Sequence, residues 1–162
     1  MKTRIAINGF GRIGRNLFRL LLNHPTIEVV AINDIADNKT MAHLVKYDSI
    51  HGVLNQKVSF SEDSISIDDK SYLFFHEREI KNLDWKSINV DIVIESTGKF
   101  KTFEEINQHI LAGAKKVILS APSEVDEIKT VVLGVNEHIL DGSETIISNA
   151  SCTTNNEIGR AS

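Results

Sequence analysis

Three glycines near the amino terminus have the spacing of a phosphate-binding turn. Gly9, Gly11 and Gly14 form the pattern GxGxxG directly after a short β-branched run. In such a turn the first glycine permits a sharp bend, the second lets the backbone approach a pyrophosphate, and the third lets a helix pack closely on the strand. Asp34 stands about twenty residues further on, where a carboxylate accepts hydrogen bonds from a ribose. The spacing therefore predicts a dinucleotide site.

The residues that follow these glycines refine this prediction. The backbone amides of Arg12 and Ile13 are expected to face the phosphates, helped by the dipole of the helix that starts there. The Asp34 carboxylate repels a 2′-phosphate, and no arginine immediately follows it, so we predict a preference for NAD over NADP. The alternative is a structural glycine turn with an incidental aspartate, which the order of strand, glycines and helix disfavours.

The only cysteine, Cys152, is the candidate nucleophile. It lies among small and polar residues in the segment SNASCTTN, just past an apolar run. Structural cysteines usually lie among aliphatic side chains, whereas a cysteine at the start of a helix meets positive potential that favours the reactive thiolate. These residue types favour catalysis and leave a non-catalytic cysteine open. A single cysteine excludes an intrachain disulfide and a multi-cysteine zinc site, and we expect no metal.

Alternating strand and helix patterns must position these groups. We predict buried strands over residues 4–8, 28–33, 91–95, 117–119, 130–135 and 145–148. We predict helices after the glycines, with Ile13, Leu17, Leu20 and Leu21 on one face, over residues 38–46 behind an Asp37 N-cap, and over residues 103–111. The alternating runs on both sides of Asp68 predict an antiparallel hairpin. The sum is an α/β fold of the Rossmann type: a doubly wound, mostly parallel sheet with an inserted antiparallel hairpin.

Composition limits the classes of partner. The 162 residues, 41% of them hydrophobic, suffice for one globular domain. A formal net charge of -4 leaves no broad basic face, so we expect no nucleic-acid partner. No apolar run reaches membrane-spanning length, and the amino terminus is unlike a secretory signal. We therefore expect a cytoplasmic protein without a membrane partner.

Seven short motifs occur in an order that resembles the glyceraldehyde-3-phosphate dehydrogenase family. They cover nearly the whole chain: INGFGRIGR at 7–15, AIND at 31–34, KYDSIHG at 46–52, ESTGKF at 95–100, LSAPS at 119–123, GVN at 134–136 and SNASCTTN at 148–155. The last motif is close to diagnostic of the family. On this resemblance we identify the chain as the amino-terminal, NAD-binding part of such an enzyme.

The resemblance implies a covalent mechanism centred on Cys152. Its thiolate attacks the aldehyde of glyceraldehyde 3-phosphate, hydride leaves to NAD, and inorganic phosphate releases the acyl group as 1,3-bisphosphoglycerate, a step of glycolysis. The resemblance also implies roles for other residues. The pyrophosphate is held by Arg12 and Ile13, the ribose by Asp34 and the adenine side by Arg78; the nicotinamide end is lined by Thr97, Gly98, Phe100 and Ser120, and substrate or phosphate by Ser151 and Thr153.

The resemblance further implies how the chain is organised. Residues 1–155 correspond to the NAD-binding domain, and residues 156–162 form a tail that departs from the family. The family's second domain, which supplies a histidine base, phosphate sites and most homotetramer contacts, is absent, so we expect this chain to be inactive alone. We interpret all six histidines as surface or structural residues. Two alternatives stay open: a non-catalytic NAD-binding module, and a paralogue that oxidises erythrose 4-phosphate.

Overall fold

A nine-stranded sheet forms the centre of the molecule. The computed structural model describes residues 1–161, with side chains for residues 1–157. Within this part the strand order is β10-β11-β9-β8-β1-β2-β7-β6-β5. The strands are β1 (Thr3–Asn8), β2 (Ile27–Asn33), β5 (Val58–Phe60), β6 (Ser64–Ile67), β7 (Lys70–Phe75), β8 (Ile92–Glu95), β9 (Lys116–Leu119), β10 (Lys129–Thr130) and β11 (Ile146–Ser148). All neighbouring strands from β10 to β7 are parallel, which confirms the predicted fold class.

The antiparallel part of the sheet comes from the predicted hairpin. Strands β5, β6 and β7 pair antiparallel, and Asp68, at φ 51°, turns the chain between β6 and β7. Strand β7 also pairs parallel with β2, so the hairpin extends the main sheet. A separate two-stranded sheet is formed by β3 (Tyr47–Asp48) and β4 (Gly52–Val53).

Helices cover both faces of the sheet, as predicted. They are α1 (Arg12–Leu21), α2 (Asn38–Lys46), α3 (Phe103–Leu111) and α4 (Cys152–Ala161). Helices α1 and α2 pack on one core, which contains Ile5, Ile7 and Phe18, and α3 packs on a second core around Trp85 and Ile106. Alternate residues of β1 pack in the two cores, because successive side chains of a strand point to opposite faces of the sheet.

Side-chain caps fix where two of these helices begin. The Asp37 carboxylate accepts a hydrogen bond from Thr40 N at 2.9 Å and so caps α2, as predicted. Thr102 and Glu105 form a reciprocal capping box at the start of α3. Gly113, at φ 106°, follows the end of α3. Both helices have the predicted bounds.

Two sequence predictions need correction. The buried face of α1 is formed by Gly14 and Phe18, with Leu17 and Leu21 half-buried, whereas Ile13 and Leu20 are 51% and 77% exposed. The predicted helix is therefore confirmed, but its buried face is centred on Gly14 and Phe18 and does not include Ile13 and Leu20.

The strand predicted over residues 130–135 ends at Thr130. Asn136 takes the place of a strand partner: its side-chain oxygen accepts from Val132 N at 2.7 Å and its amide donates to Thr130 O at 3.0 Å. The chain then turns through Gly134 at φ 85°, and Leu133 is 78% exposed. Because these side-chain hydrogen bonds hold the chain in a turn, the strand that the apolar run predicts does not continue past Thr130.

Two further observations concern the described part of the chain as a whole. The longest helices have ten residues, and none of the described helices is long and apolar enough to cross a membrane. Helix α4 runs into the segment 156–162 that was predicted to be unlike the family. Ser162 and the side chains from residue 158 onwards lie outside the described residues, so that prediction stays open.

Candidate functional site

A cleft of about 410 Å³ lies at the carboxyl ends of β1, β2 and β8. In parallel sheets with crossover helices this edge is where ligands bind. The residues that line the cleft come from the segments that follow these strands and β7: Asn8, Gly9, Gly11, Asn33, Asp34, Ile35, Glu77, Arg78, Glu79, Ile80, Ser96, Thr97, Lys99 and Phe100. Six of the residues predicted to bind NAD are thus brought together: Gly9, Gly11, Asp34, Arg78, Thr97 and Phe100.

The three glycines each meet a different steric environment. Gly9 has φ 93°, and a Cβ there would lie 2.6 Å from Thr97 N, so only glycine lets the turn approach the neighbouring loop. A Cβ on Gly14 would lie 2.2 Å from Gly9 O. A Cβ on Gly11 would meet no atom within 4 Å, because this residue faces the open cleft. The space that such a Cβ would fill is where a phosphate can approach the backbone.

The start of α1 is suited to an anion. Its N-cap is Gly11, which offers no side-chain cap, and the first turn contains no acidic residue. The amides of Arg12 and Ile13 belong to this first turn, where backbone N–H groups lack helical partners. Both residues are exposed, although neither lines the cleft itself. Arg15 supports the turn by donating from Nη1 to Phe10 O at 2.8 Å, and burial lowers the pKa of its guanidinium.

Asp34 is held firmly at the end of β2. One carboxylate oxygen accepts from Phe10 N at 2.7 Å and the other from Ala36 N at 3.0 Å. Each oxygen keeps a second lone pair that can accept a hydroxyl of a ribose. Ile35 and Ala36 follow Asp34, so the adjacent chain brings no cation that would bind a 2′-phosphate.

The floor of the cleft is a polar layer that sequence reasoning missed. Asn33 pairs with the backbone of Glu77 through both ends of its amide and donates to Asn8 Oδ1 at 2.7 Å. Asn8 in turn donates to Glu95. The same carboxylate accepts from Thr97 N at 2.8 Å and from the Thr97 hydroxyl. A polar residue that ends each of three buried strands was the available signal.

The far wall of the cleft carries alternating charges. Glu77, Arg78 and Glu79 follow β7, and the Arg78 side chain is exposed. Lys99 and Phe100 continue the wall from the β8 side, and Phe100 also packs on the second core. Gly98, between Thr97 and Lys99, has φ 68°, and a Cβ there would meet no atom within 4 Å.

Cys152 lies further along the same edge of the sheet, after β11. Asn149 N donates to Leu119 O at 2.9 Å, which ties this segment to β9, and Ala150 turns it at φ 56°. Ser151 Oγ accepts from Thr154 N at 2.9 Å and so caps α4. Cys152 is the first residue of α4 and is exposed, as is Thr153. The predicted helix start at the cysteine is therefore present.

Ser120 connects the cleft and the cysteine segment. It follows β9, and its backbone amide donates to Glu95 O at 3.0 Å. Because β8, β9 and β11 are neighbours, Thr97, Ser120 and Cys152 follow three adjacent strands. The structure thus places the cysteine beside the cleft but not in its lining. Of the histidines, His109 is fully buried, as a structural residue would be.

Comparisons with known proteins agree with this geometry. A family model described as "Glyceraldehyde 3-phosphate dehydrogenase, NAD binding domain" matches residues 3–103. The chain is 52% identical to the glyceraldehyde-3-phosphate dehydrogenase of Mycoplasma pneumoniae over 152 residues, which are 94% of this chain and 45% of the relative. It is 51% identical to that of Geobacillus stearothermophilus (96% of this chain, 46% of the relative) and 53% identical to that of Thermotoga maritima (94% and 46%). The chain spans just under half the length of these relatives.

Proposed function

The chain belongs to the glyceraldehyde-3-phosphate dehydrogenase family and carries the NAD-binding domain of that family, and from this premise we propose that it is the part of a phosphorylating glyceraldehyde-3-phosphate dehydrogenase that binds NAD and supplies the nucleophile. The observation that carries the proposal is one edge of the sheet. This edge holds the turn formed by Gly9, Gly11 and Gly14 at the start of α1, which will be called the anion cradle, and the Asp34 carboxylate. It also holds the exposed Cys152 thiol, at the start of the helix that follows β11, two strands from β8.

We propose that NAD lies along this edge of the sheet, in the cleft and against the residues beside it. The amides of Arg12 and Ile13, beside Gly9, Gly11 and Gly14, would hold the pyrophosphate. Asp34 would accept the ribose hydroxyls and Arg78 would contact the adenine side. We propose that the nicotinamide end lies against the groups that follow β8 and β9, namely Thr97, Gly98, Phe100 and Ser120. When bound there, NAD supplies the hydride acceptor for the oxidation.

The chain's own chemistry is covalent catalysis by Cys152. Its thiolate adds to the aldehyde carbon of the substrate, and after oxidation inorganic phosphate displaces the thiolate from the acyl group, which gives 1,3-bisphosphoglycerate. The start of α4 provides positive potential next to the sulfur. Ser151 and Thr153 flank the thiol and would contact substrate or phosphate. Dividing the reaction at the thioester separates oxidation from phosphate transfer.

The remaining parts of the proposal concern the whole enzyme. We propose residues 1–155 as the NAD-binding domain and residues 156–162 as a tail unlike the family. The partners are a phosphorylated aldehyde and inorganic phosphate, without nucleic acid or membrane, in a cytoplasmic homotetramer. The domain bounds, substrates and homotetramer rest on family membership and on the segment around Cys152, and the exclusion of nucleic acid and membrane rests on net charge and on the lack of a long apolar run.

A chimera tests the proposed activity directly. Residues 1–155 are joined to the part of the Geobacillus stearothermophilus relative that follows its matching segment, and NADH formation is followed with glyceraldehyde 3-phosphate and phosphate. We expect turnover that requires phosphate and disappears in the Cys152→Ser variant. The unfused 162-residue chain serves as the control and is expected to be inactive. A folded chimera without turnover, or activity that survives Cys152→Ser, would contradict the proposal.

A further inference from the structure

A buried polar cluster extends inwards from Asn8 at the floor of the cleft and has no role in the proposed chemistry. It consists of Asn8, Trp85, Glu95 and His109, and will be called the Glu95 cluster. Trp85 and His109 are completely buried, and Glu95 is 3% exposed. Trp85 Nε1 donates to His109 Nδ1 at 3.0 Å, and His109 Nε2 lies 3.0 Å from Glu95 Oε2. Because these groups are shielded from water, their protonation is fixed by the partners they meet.

The indole of Trp85 fixes the proton on His109. An indole nitrogen only donates, so His109 Nδ1 must accept and cannot carry a proton. The single proton of the neutral imidazole is therefore on Nε2, which donates to Glu95. His109 contributes no positive charge to the cluster.

The orientation of Asn8 is fixed in the same way from the other side. Glu77 N can only donate, and it donates to Asn33 Oδ1 at 2.9 Å. Asn33 must then present its amide nitrogen to Asn8 Oδ1, which leaves Asn8 Nδ2 to donate to Glu95. With the two bonds from Thr97, the Glu95 carboxyl faces four donors. An ionised Glu95 accepts from all four donors at once, whereas a protonated carboxyl satisfies the cluster only if the Thr97 hydroxyl turns to accept from it. The ionised form is therefore the one that these hydrogen bonds favour.

Among the residues that the structure describes with side chains, no lysine or arginine lies within ion-pair distance of Glu95. In that part of the chain its one ionisable partner at such a distance is His109, which is neutral. An uncompensated charge in a poorly solvated position acts over a longer range than one in water. The carboxylate lies two residues before Thr97, which lines the cleft.

The strand order decides which part of a dinucleotide meets this charge. Asp34 follows β2, the anion cradle follows β1, and Glu95 ends β8 on the other side of β1. A dinucleotide with one ribose at Asp34 and its pyrophosphate at the cradle must therefore extend its second half over β8. For NAD that half is the nicotinamide riboside. Its ring is cationic when oxidised and neutral when reduced.

We propose that the Glu95 carboxylate is a specificity-determining group that makes the cleft bind NAD⁺ more tightly than NADH. This inference rests on the proposed function, because it requires NAD in the cleft in the orientation that the strand order dictates. The carboxylate attracts the cationic ring and gains nothing from the neutral ring. The remaining contacts, to adenosine and pyrophosphate, are common to both forms and cancel in the ratio of their dissociation constants.

Calorimetry on the 162-residue chain measures that ratio. We expect Glu95→Gln to lower the preference for NAD⁺ over NADH about fivefold, the order of change expected when one nearby charge is removed and the effective dielectric constant lies between that of a protein surface and that of water. The matched control is Glu104→Gln, the same substitution at an exposed carboxylate on α3 that does not line the cleft. It should leave the ratio within about twofold of the unmodified chain.

The outcomes are distinct. An unchanged ratio in a folded Glu95→Gln variant that still binds both forms overturns this inference alone, whereas a chain that binds neither form overturns the proposed function as well. The glutamine amide would oppose the donors on His109 and Asn8, so circular dichroism first checks the fold of the variant. If it does not fold, nuclear magnetic resonance of the unmodified chain decides. A neutral His109 protonated on Nε2 beside an ionised Glu95 supports the inference, and a protonated Glu95 overturns it.

Discussion

Replacing Gly11 with alanine should weaken cofactor binding and leave the fold intact. Gly11 has φ -68° and ψ -161°, which alanine adopts without strain, and its Cβ would meet no protein atom within 4 Å. Alanine is a poorer N-cap than glycine, but the smaller entropy of its unfolded chain offsets this by about 0.4–1 kcal/mol. We therefore expect a stability change within about 0.5 kcal/mol.

The added methyl group acts on the ligand instead. It would occupy the space through which the pyrophosphate approaches the amides at the start of α1. We expect NAD affinity to fall at least about tenfold, which corresponds to ~1.4 kcal/mol. Titration calorimetry gives the affinity and thermal unfolding gives the stability of the same sample. A Gly11→Ala variant that binds NAD like the unmodified chain would refute the placement of the phosphates.

Gly14→Ala is the matched control: it should lower the stability of the fold, which Gly11→Ala should leave nearly unchanged. Its Cβ would lie 2.2 Å from Gly9 O, where ordinary contact begins at 3.4 Å. The helix must move away from the turn, and such overpacking costs about 3 kcal/mol. For a chain of this size the midpoint of thermal unfolding should fall by roughly 6–12 °C. Equal stability of the two alanine variants would show that the helix does not pack on the turn as described.

Three further predictions concern residues outside the cradle. Thr102→Ala should destabilise the chain by about 1 kcal/mol in denaturant unfolding, because it removes the N-cap of α3, whereas Thr102→Ser should not. Cys152 is exposed, so iodoacetamide should label the native chain at this one site; resistance to labelling until denaturant is added would contradict its position. The hydrogen bond from Lys129 lowers the pKa of Glu144 from 4.5 to about 2, so its ionised form is favoured by folding. The stability advantage over Glu144→Gln should be complete above pH 4.5 and disappear as the pH falls towards about 2, and a constant difference would refute the pairing.

The sequence predicted most elements and the part of the site that depends on local patterns. Gly9, Gly11 and Gly14 were recognisable by their spacing, because the backbone excludes a side chain at Gly9 and Gly14 while Gly11 leaves the cleft open between them. The Asp37 cap and the hairpin at Asp68 were recognisable because each is a local hydrogen-bonding or dihedral requirement.

Features that depend on partners distant in the chain were missed. Asn136 ends β10 through bonds to Thr130 and Val132, which an apolar run does not reveal. Glu95 pairs with Asn8 across 87 residues and with His109 across 14 residues. Their polarity was visible in the sequence, but only the order of the strands brings them together. The same order places the segment after β11 beside the cleft.

The most direct test of the cofactor assignment compares NAD and NADP in calorimetric titrations of the unmodified chain and of Asp34→Ala. Asp34 accepts from Phe10 and Ala36 and keeps lone pairs that can accept from ribose hydroxyls, and no cationic residue directly follows it in the chain. We predict that the unmodified chain binds NAD at least about tenfold more tightly than NADP, a difference of ~1.4 kcal/mol, and that Asp34→Ala loses most of this difference. Equal affinities in the unmodified chain, or a preference for NADP that survives Asp34→Ala, would contradict the account.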